Sequence, residues 1–166
     1  MNGRVLDSII WVAAAASATF SGSMAHTTER KCYANLDQFM IAKFGEDYKM
    51  DENISHKVAS GALLMVTDKT AETNPSRYFL LPEVENNKIC LVLDAPIALE
   101  VKFEQYQSGN FPKTIKTKSG GQGPDIDISY AWRKQSKKYL PAKCSSTHND
   151  KTMAISCKSA LAPFGK

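Results

Sequence analysis

The stretch of residues 89–103 constrains the fold more than any other part of the chain, because it is the most apolar run outside the N-terminus. Its sequence predicts two β-strands separated by a break at residues 94–96. From residue 97 onward, apolar residues alternate with more polar ones, and this period of two places one apolar row on a single sheet face. We expect a central hairpin or bent strand in which Leu99 and Val101 face the core. Glu100 and Lys102 should face solvent or a covering loop.

The N-terminal 25 residues predict an export signal. Arg4 supplies a positive start, residues 9–16 form a short apolar segment, and Ser23 and Ala25 are small residues at the cleavage positions. A cut after Ala18 fits as well, and a buried N-terminal helix is the structural alternative. The apolar segment is shorter than the roughly 20 residues that span a bilayer, so no transmembrane segment is expected after cleavage.

The cysteines predict an oxidising compartment. All four, Cys32, Cys90, Cys144 and Cys157, lie in the expected mature chain, and an even number in an exported protein implies two disulfides. Three pairings are possible; we expect Cys144–Cys157 across a hairpin and Cys32–Cys90 as the second bridge. No two cysteines have the spacing of a structural zinc site, and no metal or other cofactor is predicted. The expected location is periplasmic or secreted.

Local patterns near the start of the mature chain predict a helix. Residues 34–44 place apolar side chains on one helical face, with Asn35 as N-cap, Gln38 at the capping-box position and Gly45 as the stop. The acidic residues 46–60 predict an irregular segment, with a second short helix through Ile54, Lys57 and Val58.

The remaining patterns predict strands at residues 62–67, 77–81, 114–118, 126–132 and 153–157. Pro82 should pair incompletely or lie at a sheet edge, and the lysines of residues 114–118 are typical of an edge strand. With 166 residues, of which 43% are hydrophobic and 23% charged, the chain is long and apolar enough for one core. We therefore predict a single α+β domain over residues 26–166, mostly antiparallel β, with about seven strands and one or two short N-terminal helices.

The charge is divided along the chain. Residues 33–112 carry seven basic and twelve acidic side chains, whereas residues 113–143 carry eight basic and two acidic ones. Tyr130, Trp132 and Tyr139 are interleaved with that basic stretch, as in surfaces that bind phosphates and stack bases. Charge runs more often form solvated faces, so we expect the aromatics in the core. Because an exported protein meets little nucleic acid, the expected partner is an anionic glycan, a lipid headgroup or an acidic protein.

The glycine-rich loop of residues 119–124 and the basic stretch after it form the predicted ligand surface. The loop matches the start of a calcium-binding nonapeptide, but it occurs once, and Asp127 stands where a large apolar residue is expected. It lacks the Gly-Lys-Ser/Thr of a phosphate-binding loop. Loops on a rigid scaffold commonly carry function. The predicted surface comprises Ser119, Gly120, Gly121, Gln122, Gly123, Arg133, Lys134, Lys137 and Lys138.

No catalytic motif is present, and no catalytic residue is predicted. The histidines His26, His56 and His148 are scattered, and neither a Gly-x-Ser-x-Gly nor a Ser-x-x-Lys pattern occurs. We expect a non-enzymatic binding protein that acts as an inhibitor or accessory factor in the envelope or outside the cell. Two alternatives remain open: a small exported hydrolase built from Asp125, Asp127 and a histidine, and a structural subunit of a surface assembly.

Overall fold

The computed structural model of the chain describes residues 30–71, 74–107, 111–120 and 123–162. The predicted signal peptide, His26, Gly121 and Gln122 lie outside these residues. Within the described ranges, ten strands form two five-stranded antiparallel sheets. Sheet 1 has the spatial order β1 (Cys32–Tyr33), β5 (Lys88–Ala95), β4 (Ser76–Glu83), β3 (Leu63–Asp68) and β2 (Ile54–Ser60). Sheet 2 has the order β10 (Lys151–Ile155), β9 (Lys138–His148), β8 (Asp125–Arg133), β7 (Pro112–Lys118) and β6 (Glu100–Tyr106).

The predicted α+β class with antiparallel sheets is confirmed, but the predicted number of strands is too low. The two α-helices are α1 (Leu36–Phe44) and α2 (Cys157–Leu161), so the second is C-terminal; a 3-10 helix spans Glu46–Met50. The helix predicted through Ile54 is wrong, because this segment forms the edge strand β2. Most β2 side chains are exposed, so its sequence lacks the apolar alternation that would have revealed a strand.

The two sheets pack face to face around the main core. Phe79 and Val92 of sheet 1 meet Ile115, Ile128 and Tyr130 of sheet 2 in one buried cluster. Helix α1 covers the other face of sheet 1, where its buried residues pack in a second cluster, comprising Phe39, Met40, Val66, Tyr78, Leu80 and Ile89. Among the residues that the structure describes, sheet 1 is therefore covered on both faces and sheet 2 on one.

The ends of α1 are capped as its sequence predicts. The Asn35 Oδ1 atom accepts a hydrogen bond from the Gln38 backbone N–H at 2.9 Å. At the other end, the Gly45 N–H donates to the carbonyl oxygen of Ile41 at 2.9 Å, and Gly45 adopts a φ of +93°, which favours glycine. Local capping chemistry thus sets both boundaries of the helix.

Both predicted disulfide pairs are present. Cys32–Cys90 joins the cross-strand neighbours of β1 and β5, and Cys144–Cys157 joins β9 to the first residue of α2. One disulfide therefore links two neighbouring strands of sheet 1, and the other links a strand of sheet 2 to α2.

The run of residues 89–103 forms two strands, but the predicted hairpin between them is wrong. β5 belongs to sheet 1 and β6 to sheet 2, so residues 96–99 cross between the sheets. Val101 packs against the core while Glu100 and Lys102 are exposed, as predicted. Leu99 is 43% exposed instead, because it lies in the crossing segment before β6 begins.

Two further strand predictions concern sheet edges. Pro82 lies beyond the last residue of β4 that pairs with β3, so it pairs only with β5, in agreement with the expected incomplete pairing. The strand of residues 114–118 is not an edge, because β7 lies between β6 and β8. Its lysines are tolerated in the middle of the sheet because they project from the uncovered face.

Candidate functional site

The outer face of sheet 2, the face turned away from sheet 1, carries many polar side chains. Alternate residues along β6 to β10 project from it, since side chains of a strand point to opposite sides in turn. Two neighbouring depressions, of about 760 and 250 Å³, lie on this face and share Lys116 and Asp127 in their walls.

One line of side chains across this face is cationic. Lys102 of β6 lies opposite Lys116 of β7, Lys116 lies opposite Ser129 of β8, and Ser129 lies opposite Lys143 of β9. We call these four residues the lysine row. Directly opposed side chains have Cβ atoms about 4.5–5.5 Å apart, and opposed like charges destabilise a sheet. The row thus keeps positive charges close together at a cost to the fold.

Only part of this charge is neutralised within the protein. The Nζ atom of Lys116 lies 2.8 Å from the Glu104 carboxylate. Lys102 and Lys143 have no ion pair within the described part of the chain. The hydroxyl of Ser129 lies between Lys116 and Lys143, so an anion placed there would meet two ammonium groups and a hydroxyl donor.

The charge changes sign along the strands of this face. Next to the row, the cross-strand line on the β7–β8 loop side contains Glu100, Lys118 and Asp127, and the Lys118 Nζ also lies 3.0 Å from Asp125. This hydrogen bond is the main reason why the pKa of Lys118 is raised. Towards the other end of β8, Arg133 lies opposite Lys138, a second pair of like charges. Anions are therefore favoured over the row and towards the β8–β9 turn.

The predicted glycine-rich loop is used mainly for internal bonds. The Ser119 Oγ atom accepts the Ile126 N–H at 2.7 Å, and this serine is buried. Gly120 and Asn74 exchange two hydrogen bonds of 2.9 Å, from the Gly120 N–H to Oδ1 and from Nδ2 to the Gly120 carbonyl oxygen. Gly123 is exposed, and the loop begins at the acidic end of the outer face. The described part of the loop thus links β7 to β8 and fastens both to the segment just before β4 of sheet 1.

The predicted basic residues lie at the β8–β9 turn, far from that loop. β8 separates the two by about 27 Å at roughly 3.4 Å per residue, so the predicted surface is not brought together. Lys137 Nζ lies 3.7 Å from Glu83. Glu83 also accepts a hydrogen bond from Arg30, and this bond from Arg30 is the main reason why the pKa of Glu83 is lowered. Arg133 and Lys138 belong to the outer face, while Lys134 is exposed on the turn.

The aromatic residues of the basic stretch lie in the core, as expected. Tyr130 and Tyr139 are buried, and burial raises the pKa of Tyr130 to about 12. The rings of Phe111, Trp132 and Tyr139 form one cluster, in which the ring centroids are 5.0–6.0 Å apart. The Tyr139 hydroxyl donates to the Pro112 carbonyl oxygen at 2.5 Å. The basic side chains therefore have no stacking partners from this cluster.

The residues of the alternative hydrolase site do not converge among those described. His56 is exposed on β2 of sheet 1, and His148 is exposed at the end of β9. Asp125 lies opposite Thr147, so the next residue, His148, projects from the other face. No group of three His, Cys, Asp or Glu side chains within the described ranges could hold a metal ion.

The edge strands bear on the surface-assembly alternative. β2 leaves one edge unpaired over seven residues, and Val58 on it is exposed. It also carries Lys57 and a register shift between Val58 and Ser60, both features that oppose pairing between molecules. This edge therefore does not favour self-assembly.

Of the residues predicted from the sequence, Arg133 and Lys138 lie on the outer face, whereas the members of the lysine row, Lys102, Lys116, Ser129 and Lys143, were not among them. Lys102 lies between apolar Val101 and Phe103, and Lys116 follows apolar Ile115, which is a visible signal for a polar face. Which residues lie opposite each other depends on the register of four strands, and the sequence does not reveal that register locally.

No helix in the described ranges is both long and apolar enough to cross a membrane. Comparisons of the chain with known protein families, with curated proteins and with solved structures find no match. Its function is therefore inferred from the geometry of the outer face.

Proposed function

We propose that the protein is an exported, non-enzymatic binding protein, an inhibitor or accessory factor of the envelope or extracellular space. The outer face of sheet 2 binds an anionic group of its partner. Two disulfides suit an oxidising compartment, and the signal-like N-terminus supports export.

The lysine row is the observation that carries this proposal. A carboxylate, sulfate or phosphate over Ser129 would receive charge-assisted hydrogen bonds from Lys116 and Lys143, which are stronger than neutral ones. It would also relieve the repulsion between Lys102 and Lys116. The adjoining depression of about 760 Å³ leaves room for the rest of the ligand.

The first test measures binding of the mature chain to dextran sulfate and to uncharged dextran over a range of salt concentrations. The Lys102→Gln/Lys143→Gln variant should bind dextran sulfate about tenfold or more weakly and with a flatter salt dependence. The matched control is Lys57→Gln/Lys69→Gln, which removes the same charge from exposed positions outside sheet 2. Equal losses in both variants would reduce the effect to net charge and overturn the proposed site.

Further arms identify the source of the anionic group and the position of the site. Polyglutamate and vesicles containing phosphatidylglycerol replace dextran sulfate as acidic-protein and lipid probes. The turn variant, with Arg133, Lys134, Lys137 and Lys138 all changed to Gln, should lose less affinity than the row variant. If the turn variant loses binding while the row variant retains it, the row is not the site.

A further inference from the structure

A third depression, of about 430 Å³, lies between β5 of sheet 1 and β9 of sheet 2. Four consecutive residues of β5 and four of β9 line it, over residues 91–94 and 138–141. Its aliphatic lining comprises Leu91, Val92, Leu93, Leu140, Pro141 and Leu161. Tyr130 and Tyr139 line it as well. We call it the seam groove; its volume and aliphatic walls are those of a small-molecule site.

The groove exists because two strands lack a neighbour at this position. β1 pairs only with Ile89 and Cys90 of β5, and β10 pairs only with residues 144–148 of β9. Within the described ranges, β5 and β9 are not paired with each other. The Leu91 N–H donates to the Lys31 carbonyl oxygen, and beyond it the edges of β5 and β9 beside the groove have no strand partner within the described ranges.

The charges along the groove are ordered. Lys31 lies at the start of its β5 wall, since its carbonyl oxygen accepts the Leu91 N–H at 2.9 Å. Lys138 begins the β9 wall, although its side chain belongs to the outer face of sheet 2. The contact of Lys137 with Glu83, the partner of Arg30, brings that end of β9 near Lys31. Asp94 is further along β5 and lies 3.8 Å from Lys43. One end of the groove is thus cationic and the middle is aliphatic.

We propose that the seam groove binds a linear aliphatic carboxylate. The carboxylate lies at the Lys31 end, and the hydrocarbon chain lies against the leucines of β5 and β9. Walls in which aliphatic residues outnumber the two tyrosines, and one cationic end, fit a fatty carboxylate better than a flat or doubly charged molecule. This site is independent of the outer face of sheet 2.

The test is calorimetric titration of the full mature chain with octanoate, decanoate and dodecanoate below their micellar concentrations. Affinity should rise about fourfold for each buried methylene, because each contributes roughly 0.8 kcal/mol. A Lys31→Gln variant should weaken binding of decanoate but not of decanol. Affinity that does not depend on chain length would overturn the proposal.

A pair of leucines provides the matched control. Leu140 lines the groove and Leu99 does not, and both side chains are 43% exposed, so neither substitution should prevent folding. Leu140→Glu should reduce decanoate affinity at least tenfold, whereas Leu99→Glu should leave it unchanged. Equal losses of decanoate affinity in the two leucine variants would overturn the proposal. Decanoate binding seen only after residues 163–166 are removed would also overturn it, because the groove would then belong to those residues. Unchanged decanoate binding by the Lys102→Gln/Lys143→Gln variant is expected, and its loss would overturn the independence of the two sites.

Discussion

The two sheets have the same number of strands and the same antiparallel pairing, yet they differ in how they are covered. Sheet 1 lies between α1 and sheet 2, so consecutive residues of β3 and β4, such as Phe79 and Leu80, are buried on opposite faces. The described part of the chain covers sheet 2 on one face only, and β7 alternates buried Ile115 with exposed Lys116. Sheet 1 uses both faces for stability, while sheet 2 has one face available for binding.

Substitutions of consecutive residues test this difference most strongly. Phe79→Ala should lower the free energy of unfolding by about 3–5 kcal/mol, because it leaves a cavity between the two sheets. Leu80→Ala should lower it by about 2–5 kcal/mol, because it leaves a cavity under α1. In sheet 2, Ile128→Ala should cost about 2–5 kcal/mol and Ser129→Ala less than about 0.5 kcal/mol. Urea unfolding measures all four. A loss below about 1 kcal/mol for Leu80→Ala would mean that α1 does not cover sheet 1.

The disulfides offer the next comparison, since each sheet has one. The Cys32–Cys90 bridge spans 58 residues and Cys144–Cys157 spans 13. Replacing both cysteines by serine should therefore cost about 4 kcal/mol for the first and about 3 kcal/mol for the second, from restriction of the unfolded chain. Cys144 and Cys157 also line the larger depression of the outer face, so only their loss should weaken dextran sulfate binding.

Urea unfolding with and without reductant measures these costs, and the reduced wild type should be less stable than either variant. If reduction leaves the wild type unchanged, neither bridge stabilises the fold. If both double variants bind dextran sulfate equally well, the second bridge does not support the depression.

Local features of the fold and the Cys32–Cys90 pairing were predictable, whereas the distribution of the strands between the two sheets was not. Asn35, Gln38 and Gly45 set the ends of α1 by bonds within a few residues, so the sequence predicted them. The assignment of β5 and β6 to different sheets was missed, because packing between the sheets decides whether residues 96–99 turn or cross. β2 was missed because an exposed edge strand needs no apolar pattern.

The candidate site shows the same limit. Composition drew attention to the glycine-rich loop, but the hydrogen bonds of Gly120 go to Asn74, 46 residues earlier in the chain. The basic stretch was noted, yet Lys102 lies outside it and joins Lys116 only through the β6–β7 register. Charge along the sequence therefore indicated the sheet, and strand pairing determined which charges lie side by side.

Removing one charge from the lysine row should weaken anion binding and slightly stabilise the fold. Lys102→Gln should raise the free energy of unfolding by about 0.2–1 kcal/mol at low salt, because it removes the repulsion across from Lys116. The gain should disappear near 1 M salt, where charges are screened within about 3 Å. Lys57→Gln on β2, which lies opposite Met65, is the control and should change stability little. A loss of stability for Lys102→Gln would show that Lys102 is paired and would weaken the case for the row.

The smallest expected effects concern two carboxylates near sheet 1 whose pKa values move in opposite directions. The Tyr48 hydroxyl, at 2.5 Å, and Lys49, at 3.2 Å, bond to Asp37 and lower its pKa, whereas burial raises the pKa of Asp94 despite nearby Lys43. The contribution of Asp37 to stability is therefore present above its unfolded pKa of about 3.8 and lost as pH falls through the lower folded value. For Asp94 the sign is opposite: stability is highest below pH 3.8 and falls as pH rises through its raised folded pKa.

Urea midpoints measured between pH 3 and pH 7 separate the two carboxylates. Asp37→Asn should be less stable than the wild type at pH 6, with the difference shrinking towards pH 3. Asp94→Asn should gain relative to the wild type as pH rises to 6, since the variant no longer places a charge in a half-buried position beside Leu93. Because both side chains are substantially exposed, these differences should be the smallest of the series. If the two variants gave parallel pH curves, Asp37 and Asp94 would have the same environment, contrary to the packing described above.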